Sequence, residues 1–203
     1  MSSFFESKDM PFDHTAPYTV VVLGPPRSGT SMVSGILRLL GIYMGACNTA
    51  NNEDPRFNKK RGTESIRALI AENNAEYPVW GWKEPSTHIY YDEVSDLVRT
   101  PFFIGVYRNI LGSASSKLKH TGDADLAHLA GSYAVHYQKI SKLLNKAETP
   151  CLYINYDRVL SDPVALASYL SERLRGQPLD PDMHDRIARY CAPGEYKSIE
   201  DFL

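Results

Sequence analysis

Cysteine is scarce in this sequence. The three cysteines, Cys47, Cys151 and Cys191, are odd in number and widely spaced, and no C-x-x-C pair occurs. That excludes the common zinc and dithiol arrangements and points to reduced thiols in a cytoplasmic protein. An excess of positive charge is also missing: 22 Lys and Arg face 24 Asp and Glu, for a formal charge of −2. The overall field gives no footprint for nucleic acid, although cations can still gather around a small anion. No stretch approaches the roughly 20 apolar residues of a membrane-spanning helix. Residues 1–17 carry Glu6, Asp9 and Asp13 and no long apolar run, so neither a signal peptide nor an anchor is expected there. Internal repeats and low-complexity segments are absent too.

What is present is the composition of a globular domain: 203 residues, 43% hydrophobic and 23% charged. Residues 1–16 read as a polar tail and 17–203 as one domain. Tyr18–Leu23 (YTVVVL) is a short β-branched run between Pro17 and Gly24, the pattern of a fully buried strand. Met32, Val33, Ile36, Leu39 and Leu40 follow at helical spacing, with Gly41 as a stop. A long polar loop covers 45–62, of the kind that is functional or mobile. Further strands are expected at 79–83, 102–107 and 151–156. Helices are expected at 63–73, 92–99, 110–120, 123–147 (unbroken or as a pair), 163–175 and 181–190. Strands alternating with helices predict an α/β fold, a three-layer α/β/α sandwich around a mainly parallel sheet, with ligands at the carboxyl ends of the strands.

The first strand runs into Gly24-Pro25-Pro26-Arg27-Ser28-Gly29-Thr30-Ser31 and then a helix. A strand, G-x-x-x-x-G and a helix starting with hydroxyl residues form a P-loop arrangement. Backbone N–H groups and the positive end of the helix dipole make an anion cage, to which Ser28, Thr30 and Ser31 add hydroxyls. The lysine that usually follows the second glycine is missing, since Thr30 follows Gly29. The cation has moved into the loop as Arg27. Only one of the strand-following positions Gly24, Lys83, Arg108 and Asp157 is acidic, so there is no evident magnesium clamp.

These segments resemble the sulfotransferase superfamily, in particular its small bacterial members and its Golgi protein-tyrosine branch. Pro26–Ser31 is similar to the family's 5′-phosphosulfate loop, Leu40–Gly45 to the stretch after its first helix, and Trp80-Gly81-Trp82-Lys83-Glu84-Pro85 to a bacterial W-G-W-K-D-P signature. Val106-Tyr107-Arg108-Asn109, with Ser116 eight residues after Arg108, resembles the 3′-phosphate motif. Tyr153–Asp157 followed by Ser161-Asp162-Pro163 resembles Y-E-D-L…D-P. The resemblance implies a P-loop fold and a metal-free transfer of a sulfuryl group from 3′-phosphoadenosine 5′-phosphosulfate (PAPS) to a hydroxyl or amine, leaving 3′,5′-bisphosphoadenosine (PAP). It implies a donor site of Arg27, Ser28, Gly29, Thr30, Ser31, Arg108 and Ser116, with Arg27 and Lys83 acting on the reacting group.

The sequence departs from the family at three places. Pro85 stands where the cytosolic branch has a catalytic histidine, Ser86 where bacterial relatives often have arginine, and only Gly194-Glu195-Tyr196-Lys197 echoes the C-terminal G-x-x-G-x-W-K segment. The general base must then come from elsewhere: Glu53 first, then Glu84, then His88. Each of these charged or polar residues also has a plain reading as a solvated surface group. His120, His128 and His136 recur every eight residues, too far apart along a helix to share one metal ion. The aromatics of 77–82 and Tyr90-Tyr91 are candidates for an acceptor pocket or for the core. Two other functions fit part of the pattern: a P-loop nucleoside or nucleotide kinase, and a nucleotide-binding homologue without activity. Acceptor identity and oligomeric state are not legible.

Overall fold

The structure is a computed structural model that describes residues 4–7, 10–47, 51–121, 125–192, 194 and 197–203. In chain order the regular elements are β1 (Phe4–Ser7), β2 (Tyr18–Leu23), α1 (Thr30–Leu39), α2 (Thr63–Glu76), β3 (Val79–Lys83), α3 (Thr87–Tyr90), β4 (Pro101–Tyr107), α4 (Ile110–Thr121), α5 (Leu126–Lys146), β5 (Cys151–Asn155), α6 (Tyr156–Val159), α7 (Pro163–Arg175) and α8 (Pro181–Cys191). The strands form one sheet in the order β1-β5-β4-β2-β3. β2 pairs in parallel with β3 and β4, and β4 with β5; β1 is antiparallel to β5.

Side chains alternate across a strand, so a sheet buried on both faces needs apolar residues at every position. In β2, Tyr18, Val20 and Val22 join one core with Val33, Ile36 and Leu37 of α1 and Leu166, Leu170 and Ile187 of α7 and α8. Val21 and Leu23 join the other, with Ile66, Leu69 and Ile70 of α2 and Ile140 and Leu144 of α5. This is the α/β/α layering that the continuous apolar runs predict.

Three expectations change. The segment before Pro17, expected as a polar tail, supplies β1 at the sheet edge, where Phe4 pairs with Ile154 and packs at a tilt against the Tyr169 ring. The helix expected over 92–99 is two short 3₁₀ turns, Tyr91–Glu93 and Ser95–Leu97. There the Ser95 hydroxyl donates to the Asp92 carbonyl, a local bond that competes with regular helix. β5 stops at Asn155, whose side chain accepts from the Arg158 N–H and starts α6. That turn brings Tyr156 to the carboxyl edge of the sheet, beside the loop that follows β2.

Candidate functional site

The loop after β2 is held in an unusual backbone shape. Arg27 has φ 67° and Gly29 φ 97°. A side chain rarely adopts the first angle, which costs about 1–3 kcal/mol and is typical of functional loops. Gly29 is required on two counts: its φ is positive, and a Cβ there would sit 2.0 Å from the Tyr156 ring. Gly29 caps α1 without any side-chain hydrogen bond. The first N–H groups of the helix therefore have no side-chain partner and present a positive terminus. The Ser28 hydroxyl is fully buried and has no hydrogen-bond partner among the described residues.

Arg27, Arg108 and Ser116 converge here. Arg27 Nε donates to Ser116 Oγ at 3.0 Å, and Arg108 Nη1 donates to the Arg27 carbonyl at 3.1 Å. Arg108 follows β4 and Ser116 lies in α4, so parallel pairing of β2 with β4 is what brings both to the P-loop. The Arg108 guanidinium lies 5.1 Å from the centre of the Tyr156 ring, the same ring that underlies Gly29. Its backbone is clamped by Tyr137, whose hydroxyl accepts from Arg108 N–H and donates to its carbonyl. These groups open onto a cavity of about 360 Å³ lined also by Ser31, Tyr190 and Lys197. The lining includes three cations, Arg27, Arg108 and Lys197, and no carboxylate among the described residues.

Lys83 lies at the end of β3 with its side chain only 3% exposed. Its Nζ donates to Ser31 Oγ at 3.3 Å and to Glu53 Oε1 at 2.6 Å. Burial lowers the lysine pKa, and the Glu53 carboxylate works against that shift. Glu53 is itself 28% exposed and also accepts from Asn51 Nδ2. It lines a second cavity, of about 470 Å³, together with Glu84, Asn58, Lys60 and Arg61. Glu84 is buried, which raises its pKa, while its carboxylate accepts from Ser86 N–H, Ser86 Oγ and Asn58 Nδ2. Lys83 thus touches one residue of each cavity.

Asn52 fixes this junction. It is fully buried with φ 53°, a left-handed angle that asparagine tolerates better than most residues. Its Nδ2 donates to the Ser31 carbonyl and to the Tyr190 hydroxyl, and its Oδ1 accepts from Arg38 Nη1. Tyr190 donates in turn to the Ser31 carbonyl. Tyr190 reaches α1 only because residue 35 is glycine; a Cβ there would lie 2.0 Å from the tyrosine oxygen.

Of the residues expected for the donor site, Arg27, Gly29, Ser31, Arg108 and Ser116 line one cavity, and Lys83 bonds both Ser31 and Glu53; Ser28 and Thr30 are buried in the same loop and do not line it. Asn52, Tyr156 and Tyr190 were not singled out as site residues by sequence. Lys197 carried a faint signal in the C-terminal echo, of which Glu195 and Tyr196 lie outside the described residues. The aromatic run at 77–82 is not a pocket wall: Trp80 and Trp82 are fully buried and stack with Phe57. His88 lines neither cavity; it packs against His136 and bonds the Pro85 carbonyl. His128 is exposed, and the side chain of His120 lies outside the described residues. No group of three metal-ligating side chains occurs among the described residues, and no helix there is long and apolar enough to cross a membrane.

No protein-family model matches the sequence, and no curated protein matches it. Solved structures do. The sulfotransferase domain of the olefin synthase from Synechococcus PCC 7002 aligns over 94% of this chain and 82% of its own, with TM-score 0.60 and 15% identity. A sulfotransferase from Mycobacterium avium aligns over 90% of this chain and 68% of its own, with TM-score 0.56 and 14% identity. A retinol dehydratase solved with androsterone and the inactive cofactor PAP aligns over 90% of this chain but only 66% of its own length, with TM-score 0.53 and 13% identity. At such identities the likeness concerns architecture, and the architecture is plain: this chain has the sulfotransferase fold.

Proposed function

We propose that this protein is a sulfotransferase that uses PAPS as donor and a hydroxyl or amine as acceptor, with PAP as the second product. The observation that carries the reading is the cavity beside the P-loop, where Arg27, Arg108 and Lys197 gather with hydroxyls; no carboxylate among the described residues lines it, and Asp157, outside the lining, pairs with Arg108 Nε at 3.4 Å. Such a site suits a nucleotide bearing two separate anionic groups held by side-chain cations. The unpartnered Ser28 hydroxyl and the uncapped start of α1 fit the same ligand. Arg27, Ser28, Gly29, Thr30 and Ser31 would hold the 5′ end, and Arg108 with Ser116 the 3′-phosphate.

The bound donor supplies an activated sulfur, whose bond to the 5′-phosphate oxygen breaks as a bond to the acceptor oxygen or nitrogen forms. Arg27 places a fixed charge where the leaving phosphate becomes more negative. Glu53 takes the acceptor proton on its carboxylate. Protonation of Glu53 removes the counter-charge of Lys83, so the ammonium is freed to act on the P-loop side, where it already bonds Ser31. The direct test is thermal shift in EDTA. PAP is expected to raise the melting temperature without metal, and ATP with magnesium to do so less. Stabilisation by ATP and magnesium alone would replace this reading with a kinase.

A further inference from the structure

The second cavity identifies the chemistry of the acceptor, an inference that rests on the sulfotransferase reading. Every lining residue except Pro55 carries a polar or charged side chain. Asn51, Glu53, Asn58 and Glu84 line it, and no aromatic residue does. The nearby aromatics that would grip a phenol or a steroid are spent in the core, with Phe57 and Trp82 stacked 5.1 Å apart. Flat apolar ligands bind where apolar and aromatic walls surround them, whereas a lining of carboxylates and amides suits a ligand rich in hydroxyls.

The charge of this cavity is more informative than its polarity. Its carboxylates are largely answered from within. Glu53 is paired with Lys83 at 2.6 Å, and Asp54 with Arg56 at 2.7 Å. Burial raises the pKa of Glu84, while its carboxylate accepts hydrogen bonds from Ser86 and Asn58. By contrast, the side chains of Lys60 and Arg61, both exposed at the rim, have no hydrogen-bond or ion-pair partner among the described residues. Among the described residues, the lining cations without a charge partner are these two, and the one lining carboxylate outside an ion pair, Glu84, is held by hydrogen bonds. Asn58 anchors the turn that carries these cations. Its Oδ1 accepts from Lys60 N–H, and its Nδ2 donates to Glu84. A cationic rim is thereby tied to a hydrogen-bonding floor, with the Glu53 carboxylate between the cavity and Lys83.

We infer that this cavity binds a small anionic saccharide, with its acidic group at Lys60 and Arg61 and the reacting hydroxyl at Glu53. The volume of about 470 Å³ is within the usual range for small-ligand sites.

The test uses the whole protein, labelled PAPS and three acceptors: methyl glucuronide, methyl glucoside and a simple phenol. The glucuronide is expected to have the highest kcat/KM. Replacing both rim cations (Lys60→Ala with Arg61→Ala) should erase its advantage over the glucoside, a fall of roughly 10- to 100-fold for lost charge-assisted bonds. The thermal shift produced by PAP should be unchanged in that variant. Glucuronide binding, read by ligand-observed NMR with and without PAP, covers the case in which turnover is slow; it should be present in the parent protein and lost in the double variant. Preference for the phenol, equal use of the two sugars, or glucuronide binding that survives the double substitution would overturn the inference. Failure of PAP to stabilise the parent protein would break the sulfotransferase reading itself, a separate result.

Discussion

The proposed donor cavity is built around the ends of β2 and β4 and the helices that follow them, closed by Tyr156 after β5 and by α8 and the segment after it; the proposed acceptor cavity takes most of its residues from the irregular run 51–61. The first is positioned by strand pairing. Val22 opposite Ile104 fixes where Gly24 and Arg108 fall, and Tyr156 enters from the end of β5. The second depends on side-chain bonds of a loop: Asp54 to Arg56 within it, and Asn52 to Ser31 and Asn58 to Glu84 tying it to its surroundings. Strand ends have little freedom once the core is packed. Loops can be rebuilt without disturbing it. One half of the site is therefore suited to holding a constant nucleotide, and the other to a ligand particular to this chain.

The sharpest break between the halves is expected at Glu53. Glu53→Gln should lower transfer by about 10²–10⁴ while PAP affinity stays near that of the parent protein. The check is single-turnover transfer beside calorimetric PAP binding. Loss of PAP binding would instead make Glu53 a support of the donor half, acting through Lys83.

Arg27→Ala comes next. The charge it faces grows as the bond to sulfur breaks, so kcat should fall by about 10²–10³, with partial recovery in Arg27→Lys. Arg108→Ala should act mainly on donor Kd, weakening it roughly 10- to 100-fold, because contacts to an unreacting phosphate persist through the reaction. If Arg27→Ala and Arg108→Ala shift Kd alike and spare kcat, both are binding groups and the catalytic role of Arg27 is lost.

The contrast also explains what the sequence could tell. The apolar run of β2, the loop Gly24–Ser31 and Arg108 after a buried strand are local patterns, and each states its own place. Parallel pairing then joins them without further information. Glu53 was legible only as an acidic residue in a polar loop, since its bond to Lys83 spans 30 residues of sequence. Asn52 and Tyr190 meet across 138 residues and belong to no motif. Trp80 and Trp82 were open between pocket and core, because aromatic content says nothing of which side of a strand faces a core; they lie in the core. The strand β1 was missed for its brevity and because its partner, β5, is far along the chain.

Asn52 is where the halves are joined, so its loss should touch both, more modestly. Asn52→Gly keeps the left-handed backbone easy but removes the bonds to Ser31, Tyr190 and Arg38. A stability loss of about 1–3 kcal/mol is expected, with a decrease in kcat and a weaker PAP affinity. Chemical denaturation and the same calorimetry report these. If only stability changes, the two halves are coupled through Lys83 alone.

The smallest effect is expected at His88, and it decides whether the acceptor half has a second base. His88, in α3, is partly buried, packs on His136 of α5, and lies in the field of Lys59 and Lys139. Burial first, then His136, then these cations lower its pKa to about 4, against only a hydrogen bond to the Pro85 carbonyl. The unfolded chain takes up this proton near pH 6.5, the folded one only near pH 4. Between those values the unfolded state binds more protons, so the stability His88 contributes is present above pH 6.5 and lost as the pH falls toward 4. His88→Gln removes that proton uptake. It should flatten the decline of melting temperature across this window, with part of the remaining slope coming from His136, whose pKa burial also lowers. Turnover at neutral pH should change little, since His88 lines neither cavity. If His88→Gln instead abolished transfer while the melting profile kept its slope, the base would be His88, and Glu53 would be only the partner that keeps Lys83 charged.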